Sequence, residues 1–237
     1  MHRKGYTLAE ILITLGIIGI IAAITIQLIT NAYQRIVYPN QLKAVYSRLT
    51  NAQKSINDEF GPPEDWSYSS HTRPDEGNAN NLSILERYAT ELGAIAWTKK
   101  RGNYNYHYYG ISNAPKKLNG KPATNRIKDW IGGLYEGNYG YQMLLKNGTS
   151  LAIIFSDEPG GATFWQFIAK GYYAAFIVDI NGLGKPNMLG RDIFVFALTK
   201  SYSSIVPYST DTSDCNKNED GLSCSKKIID DGWKMTY

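Results

Sequence analysis

Residues 1–27 are MHRKGYTLAEILITLGIIGIIAAITIQ, and they place a single carboxylate, Glu10, at the head of a long apolar run. No residue from Ile11 to Gln34 is charged. As a helix, residues 11–29 would span about 28 Å, close to the hydrocarbon thickness of a bilayer. Because a charged side chain inside such a span costs about 3 kcal/mol, Glu10 needs a partner or an interfacial position.

The helical pattern continues beyond the apolar run. Apolar residues recur at helical spacing from Leu42 to Phe60, polar residues fill the other face, and Gly61-Pro62-Pro63 ends the segment. A cleaved secretory signal would have a shorter apolar region and a small-residue cleavage site after it. The pattern therefore predicts one helix of more than 50 residues, apolar all round in its first half and amphipathic in its second.

Residues 4–10, KGYTLAE, followed by this apolar run, resemble the N-terminus of type IV pilins and type II secretion pseudopilins. The resemblance implies that a prepilin peptidase cuts after Gly5 and that the new N-terminal residue, Tyr6, is methylated. Tyr6 stands where the family usually has phenylalanine. Glu10 matches the glutamate that the family uses in assembly.

The resemblance also suggests why Glu10 is tolerated. After cleavage, Tyr6 carries an α-amine on the same helix face as Glu10, at i and i+4. Pairing with the amine of a neighbouring subunit would set the axial stagger of a filament, since each mismatch leaves a buried unpaired charge. The alternative is an interfacial Glu10 that points to water.

The remainder of the chain has the pattern of an antiparallel sheet. Residues 141–155, YQMLLKNGTSLAIIF, predict a hairpin with a type I′ turn at Asn147-Gly148. Further strands are expected at residues 172–179, 193–199 and in the tyrosine-rich stretch 103–112. Apolar residues at helical spacing from Ile84 to Leu92 predict a helix capped by Asn81 or Ser83.

Together these elements predict an α+β, pilin-like fold in which the sheet packs on the amphipathic half of the long helix. Residues 1–5 would be a leader, residues 6–60 the helix with a membrane span at about 11–30, and residues 61–237 the globular part. Cys215 and Cys224 would form a local disulfide in an oxidising compartment.

The stretch 178–194, VDINGLGKPNMLGRDIF, is a candidate calcium site. Oxygen atoms are available from Asp179, Asn181, Asn187 and Asp192, and calcium takes six to eight oxygen ligands. The stretch resembles a late loop of pilin-like proteins that can bind calcium. The alternative is a metal-free turn in which Asn and Asp bond their own backbone.

A second candidate is a nucleic-acid surface in the span 92–128. It contains eight basic residues and several aromatic residues without an acidic one, with Lys99, Lys100 and Arg101 adjacent. Basic groups interleaved with aromatic rings suit single-stranded nucleic acid. A solvated face or a subunit contact explains the same composition, and nucleic acid is the less favoured interpretation.

We expect no enzyme, because the three histidines form no metalloprotease motif and no nucleophile elbow or phosphate-binding loop occurs. The expected function is a structural subunit of a type IV pilus-like or pseudopilus filament, anchored in the cytoplasmic membrane with the globular part outside. Its partners would be the peptidase-methyltransferase, other pilin-like subunits, an assembly platform and lipid. The alternatives are an unassembled membrane-anchored binding protein and a minor pilin that binds DNA during uptake.

Overall fold

The computed structural model describes residues 7–66, 79–97, 114–124, 141–155, 171–182, 184–200, 202–209 and 211–237. Helix α1 spans Leu8–Phe60 and is followed by a 3₁₀ turn at Pro63–Asp65. Helix α2 spans Ala79–Leu92, and helix α3 spans Cys224–Asp230. The strands are β1 Ala94–Trp97, β2 Tyr141–Leu145, β3 Ser150–Phe155, β4 Tyr172–Asp179, β5 Ile193–Thr199 and β6 Ile205–Pro207.

Helix α1 has two parts with opposite surroundings. Among the side chains that the structure describes, the large apolar ones up to Ile36 are exposed, whereas buried side chains recur at helical spacing along the second half. The buried ones include Tyr38, Leu42, Val45, Leu49, Ala52 and Ile56. Helix α1 ends at Gly61, whose φ is 78° and whose N–H donates to the carbonyl oxygen of Asn57.

The six strands form one antiparallel sheet in the order of the sequence, β1-β2-β3-β4-β5-β6. One face packs on the second half of α1 and on α2, through side chains such as Phe176 and Phe196, which lie opposite each other on β4 and β5. The other face is covered as well, by Ala123, Leu189 and Leu222. Burial on both faces explains why β5 is a continuous apolar run rather than an alternating one. The predicted α+β, pilin-like architecture is confirmed.

The hairpin has the predicted strands but a different turn. Asn147 is not among the described residues with positive φ, so the turn is not type I′. Instead, the N–H of Gly148 (φ 83°) donates to the Leu145 carbonyl and the N–H of Leu145 donates to the Thr149 carbonyl. This three-residue loop places only the glycine in the left-handed region, where it has no steric penalty.

The predicted caps of α2 are also wrong, because the helix begins at Ala79 and both Asn81 and Ser83 lie inside it. Asparagine and serine inside a helix cost only about 0.5–0.7 kcal/mol each relative to alanine, and burial of Ile84, Leu85 and Tyr88 stabilises the helix as a whole. The tyrosine-rich stretch 103–112 lies outside the described residues.

The C-terminal region is attached to the sheet at several points. Cys215 and Cys224 form the predicted disulfide. Ser225 donates from its hydroxyl to the carbonyl of Val195 on β5 at 2.6 Å, and the Tyr237 hydroxyl donates to the carbonyl of Gly190. The last residues therefore lie beside the loop that joins β4 to β5.

Candidate functional site

The N-terminus of α1 contains Glu10 in a capping box. The backbone N–H and the hydroxyl of Thr7 donate to one carboxylate oxygen of Glu10 at 2.8 and 2.9 Å, and the Glu10 N–H donates back to the Thr7 hydroxyl at 3.3 Å. The signature T-x-x-E for this arrangement is present in the sequence, and sequence reasoning directed at the cleavage motif missed it. Glu10 thus has a local partner within its own chain.

The first half of α1 is long and apolar enough to cross a membrane, and its most apolar window is wholly exposed. Contiguous exposed apolar surface of this extent is unusual for a soluble monomer and marks a contact with lipid or with other protein. The exposed helix is consistent with membrane anchoring.

The loop between β4 and β5 brings Asp179, Asn181 and Asp192 to one corner of the sheet. Asp179 is the last residue of β4, Asp192 immediately precedes β5, and both are fully buried. The Asp192 carboxylate accepts the backbone N–H groups of Asn187 (2.8 Å) and Met188 (2.6 Å). Asn187 therefore contributes its backbone N–H to this corner.

Asn181 connects the corner to the long helix. Its side-chain amide donates to the carbonyl of Lys185 at 2.8 Å and to the hydroxyl of Tyr38 on α1 at 3.3 Å. The loop is thereby held against the point where the globular part first covers the helix.

Burial dominates the electrostatics of both carboxylates. Burial, and then the charge of Asp192, raise the pKa of Asp179 to about 9. The backbone N–H groups of Asn181 and Gly182 lie close enough to lower that pKa somewhat, but neither makes a well-formed hydrogen bond to the carboxylate. Burial also raises the pKa of Asp192, opposed by its hydrogen bonds from Met188 and Asn187.

Within the described residues, four acceptor atoms at this corner lack a hydrogen-bond partner: both carboxylate oxygens of Asp179, the side-chain oxygen of Asn181 and the hydroxyl of Ser150. Buried oxygens without donors are costly, and a cation could be bound by several of them at once. A proton on Asp179 would remove the buried charge and supply one donor. Across the described ranges no cluster of three His, Cys, Asp or Glu side chains is present. A cation here would depend on amide, hydroxyl and backbone oxygens in addition to the two carboxylates.

Gly182 allows the loop to close. Its φ is 56°, and a Cβ at this position would lie 2.4 Å from the carbonyl oxygen of Gly148 in the β2–β3 hairpin. The glycine of the Asp-Ile-Asn-Gly stretch is therefore required by the close approach of two turns.

Arg191 joins the same loop to α1 beyond its apolar half. Its guanidinium donates to the side-chain oxygen of Gln34 at 2.6 and 3.1 Å, and also to that of Asn31. These residues are about 157 positions apart in the chain, so no local pattern could have indicated the contact. Arg191 fixes the globular part to the helix just past the predicted membrane span.

Several predicted site residues lie outside the described residues. These are Gly5 and Tyr6 at the predicted cleavage position, and the basic cluster Lys99, Lys100 and Arg101. Their roles stay predictions.

Residues 1–26 match a family model described as the prokaryotic N-terminal methylation motif. The match supports a type IV pilin- or pseudopilin-type prepilin motif, and with it a prepilin-like protein that is processed by a peptidase and assembles with other pilin subunits. It suggests a structural subunit rather than an enzyme. No curated protein and no solved structure matches the chain.

Proposed function

We propose that this protein is a structural subunit of a type IV pilus-like or type II secretion pseudopilus filament. A prepilin peptidase cuts after Gly5, Tyr6 is methylated, and the subunit assembles through the first half of α1. The observation that carries the proposal is the methylation motif joined to a helix that is apolar and exposed in one half and packed on a folded domain in the other.

The exposed half of α1 contacts lipid before assembly and neighbouring subunits after it. In the cytoplasmic membrane its side chains contact lipid, with the globular part outside the cytoplasm, where the Cys215–Cys224 disulfide is stable. After extraction by an assembly platform, the same side chains contact neighbouring subunits in a periplasmic or cell-surface filament. Glu10 then pairs with the Tyr6 amine of a neighbour, which sets the axial stagger.

The mass of the N-terminal peptide from membrane-extracted protein of the native host tests this proposal. We expect a peptide that begins at N-methyl Tyr6. Gly5→Leu is the matched variant and should leave the full-length precursor in the membrane. A wild-type peptide that begins at Met1 or His2 would instead favour an unassembled, membrane-anchored binding protein.

A calcium ion bound at the β4–β5 loop is the second proposal, and it is independent of filament assembly. The unpartnered oxygens of Asp179, Asn181 and Ser150 support it, with Asp192 beside them. Asn187 is a further candidate ligand. The chemistry is that of a hard, oxygen-only site, and the role of the ion would be to neutralise buried carboxylates and hold the loop.

Thermal unfolding of the full-length protein in detergent tests the site. Calcium at millimolar concentration should raise the unfolding temperature of the wild type and of the control variant Asp58→Asn, an exposed carboxylate on α1. Asp179→Asn should abolish the increase. An equal response to calcium in Asp179→Asn, or no response in the wild type, would contradict the proposal.

A further inference from the structure

A groove of about 270 Å³ opens between α1 and the C-terminal region, at the end of the globular part that faces the apolar half of α1. Basic side chains of Arg35, Arg191 and Lys217 lie around it. Leu118, Met235 and Tyr237 supply the apolar part of its lining. The groove therefore combines cationic groups with an apolar wall.

Two of the three cations are available to a ligand. Arg35 and Lys217 are exposed and make no ion pair or side-chain hydrogen bond within the described part of the chain. Arg191 is held in place by Gln34 and forms the third side. Among the described residues, the groove lining includes no acidic side chain, and Asp231 near Tyr237 is already paired with Lys227 at 3.2 Å. The groove thus suits an anion.

The position of the groove indicates which anion it meets. Arg35 is the first charged residue after Glu10 and lies about 7.5 Å along the helix from residue 30, at 1.5 Å per residue. The polar headgroup layer extends about 5–8 Å beyond the hydrocarbon core on each side. Tyr33, with 62% of its surface exposed, lies one half-turn earlier, where interfacial aromatic residues are enriched.

We propose that this groove binds the headgroup phosphate of an anionic phospholipid before the subunit leaves the membrane. Arg35 and Lys217 contact the phosphate, Arg191 borders it, and the glycerol region of the lipid lies against Leu118 and Met235. The inference rests on the membrane insertion included in the proposed function. Its consequence is that the lipid fixes the depth and orientation of the globular part, together with the Arg191–Gln34 contact.

Native mass spectrometry of the full-length, detergent-purified protein tests this site. The protein is supplied with equal amounts of phosphatidylglycerol and phosphatidylcholine, and the retained lipid is counted. The wild type should retain phosphatidylglycerol in preference. In Arg35→Gln/Lys217→Gln that retention should fall about 25-fold, because each juxtamembrane basic side chain contributes about fivefold in affinity for anionic lipid and the two factors multiply.

The control variant is Arg48→Gln/Lys54→Gln, which removes the same charge from exposed positions farther along α1 and should keep the preference. Equal retention of the two lipids, or a preference that both double variants lose alike, would overturn the proposal. The proposal would also be overturned if inorganic phosphate raised the unfolding temperature in a way that depends on Arg35 and Lys217, while the protein retained phosphatidylglycerol and phosphatidylcholine equally.

Flotation with vesicles of either lipid separates this proposal from the proposed function. A wild-type chain that floats with both vesicles but shows no lipid preference is inserted in the membrane, and only the headgroup site is wrong. A chain that floats with neither contradicts membrane insertion itself.

Discussion

Glu10 has two possible partners, and one pair of substitutions distinguishes them. Glutamine can replace glutamate in a capping box, since it still accepts the Thr7 N–H, but it cannot neutralise an α-amine. We expect Glu10→Ala and Glu10→Gln both to insert into the membrane and to be cleaved, yet both to give about a tenth or less of the wild-type filament yield, as loss of a buried charge partner costs several kcal/mol.

The measurement is the amount of filament sheared from cells, compared with the amount of processed subunit in the membrane. Thr7→Val serves as the control, because it removes the capping hydroxyl and retains the charge of Glu10. Wild-type assembly of Glu10→Gln would mean that Glu10 acts through the helix cap alone.

Asp179 should make stability decrease as pH rises. Its pKa is about 9 in the folded state and about 3.9 in the unfolded chain. The stabilisation is therefore complete below about pH 4 and is lost as pH rises towards 9, because the unfolded chain ionises while the folded protein holds its proton. The limiting slope is about 1.4 kcal/mol per pH unit.

Thermal unfolding of the full-length protein with a chelator, between pH 5 and pH 8, measures this dependence. Asp179→Asn should give a flatter curve and a higher unfolding temperature at pH 8, and the raised pKa of Asp192 leaves some slope in the variant. Parallel curves for the two proteins would show that Asp179 ionises normally in the folded state.

At the scale of elements, the contact between the β2–β3 turn and the β4–β5 loop can be tested with two glycines. Both have positive φ, but a Cβ at Gly182 meets the Gly148 carbonyl at 2.4 Å, whereas a Cβ at Gly148 has nothing within 4 Å. Gly148→Ala should lower the free energy of unfolding by about 1–2 kcal/mol, because alanine is unfavourable in the left-handed backbone conformation. Gly182→Ala should lower the free energy of unfolding by about 1–3 kcal/mol more than Gly148→Ala does, because its Cβ also forces the two turns apart.

Chemical denaturation of both variants provides the comparison. Equal losses would mean that the loop can move away from the hairpin without cost, and would remove the steric requirement for glycine in Asp-Ile-Asn-Gly.

The sequence predicted the elements that have strong local patterns. The strands Tyr172–Asp179 and Ile193–Thr199 have the predicted bounds, because their apolar runs end at polar or glycine-containing turns. Strands β1 and β6 have only four and three residues, too few for a period-2 pattern, and were missed. The Arg191–Gln34 contact and the basic groove depend on how distant segments meet, and no spacing in the sequence encodes that.

The whole molecule consists of an apolar helical segment, residues 8–30 (the rod), and a folded domain, and helix α1 runs through both. Among the α1 side chains that the structure describes, the buried ones begin at Tyr38, so none of those described in residues 8–30 belongs to the core. Asn31 and Gln34, which hold Arg191, also lie beyond the predicted span. The fold should therefore be independent of the rod, whereas solubility should depend on it.

The truncated chain 31–237 should accordingly stay monomeric without detergent and unfold cooperatively, within a few degrees of the full-length protein in detergent. Size-exclusion chromatography and thermal unfolding by circular dichroism measure the two properties. The control is the chain 50–237, which lacks Tyr38, Leu42, Val45 and Leu49 and should not fold, since each buried large side chain contributes about 2–5 kcal/mol. If the chain 31–237 aggregates or unfolds without cooperativity, residues 8–30 support the domain directly, and the rod and the domain are a single folding unit.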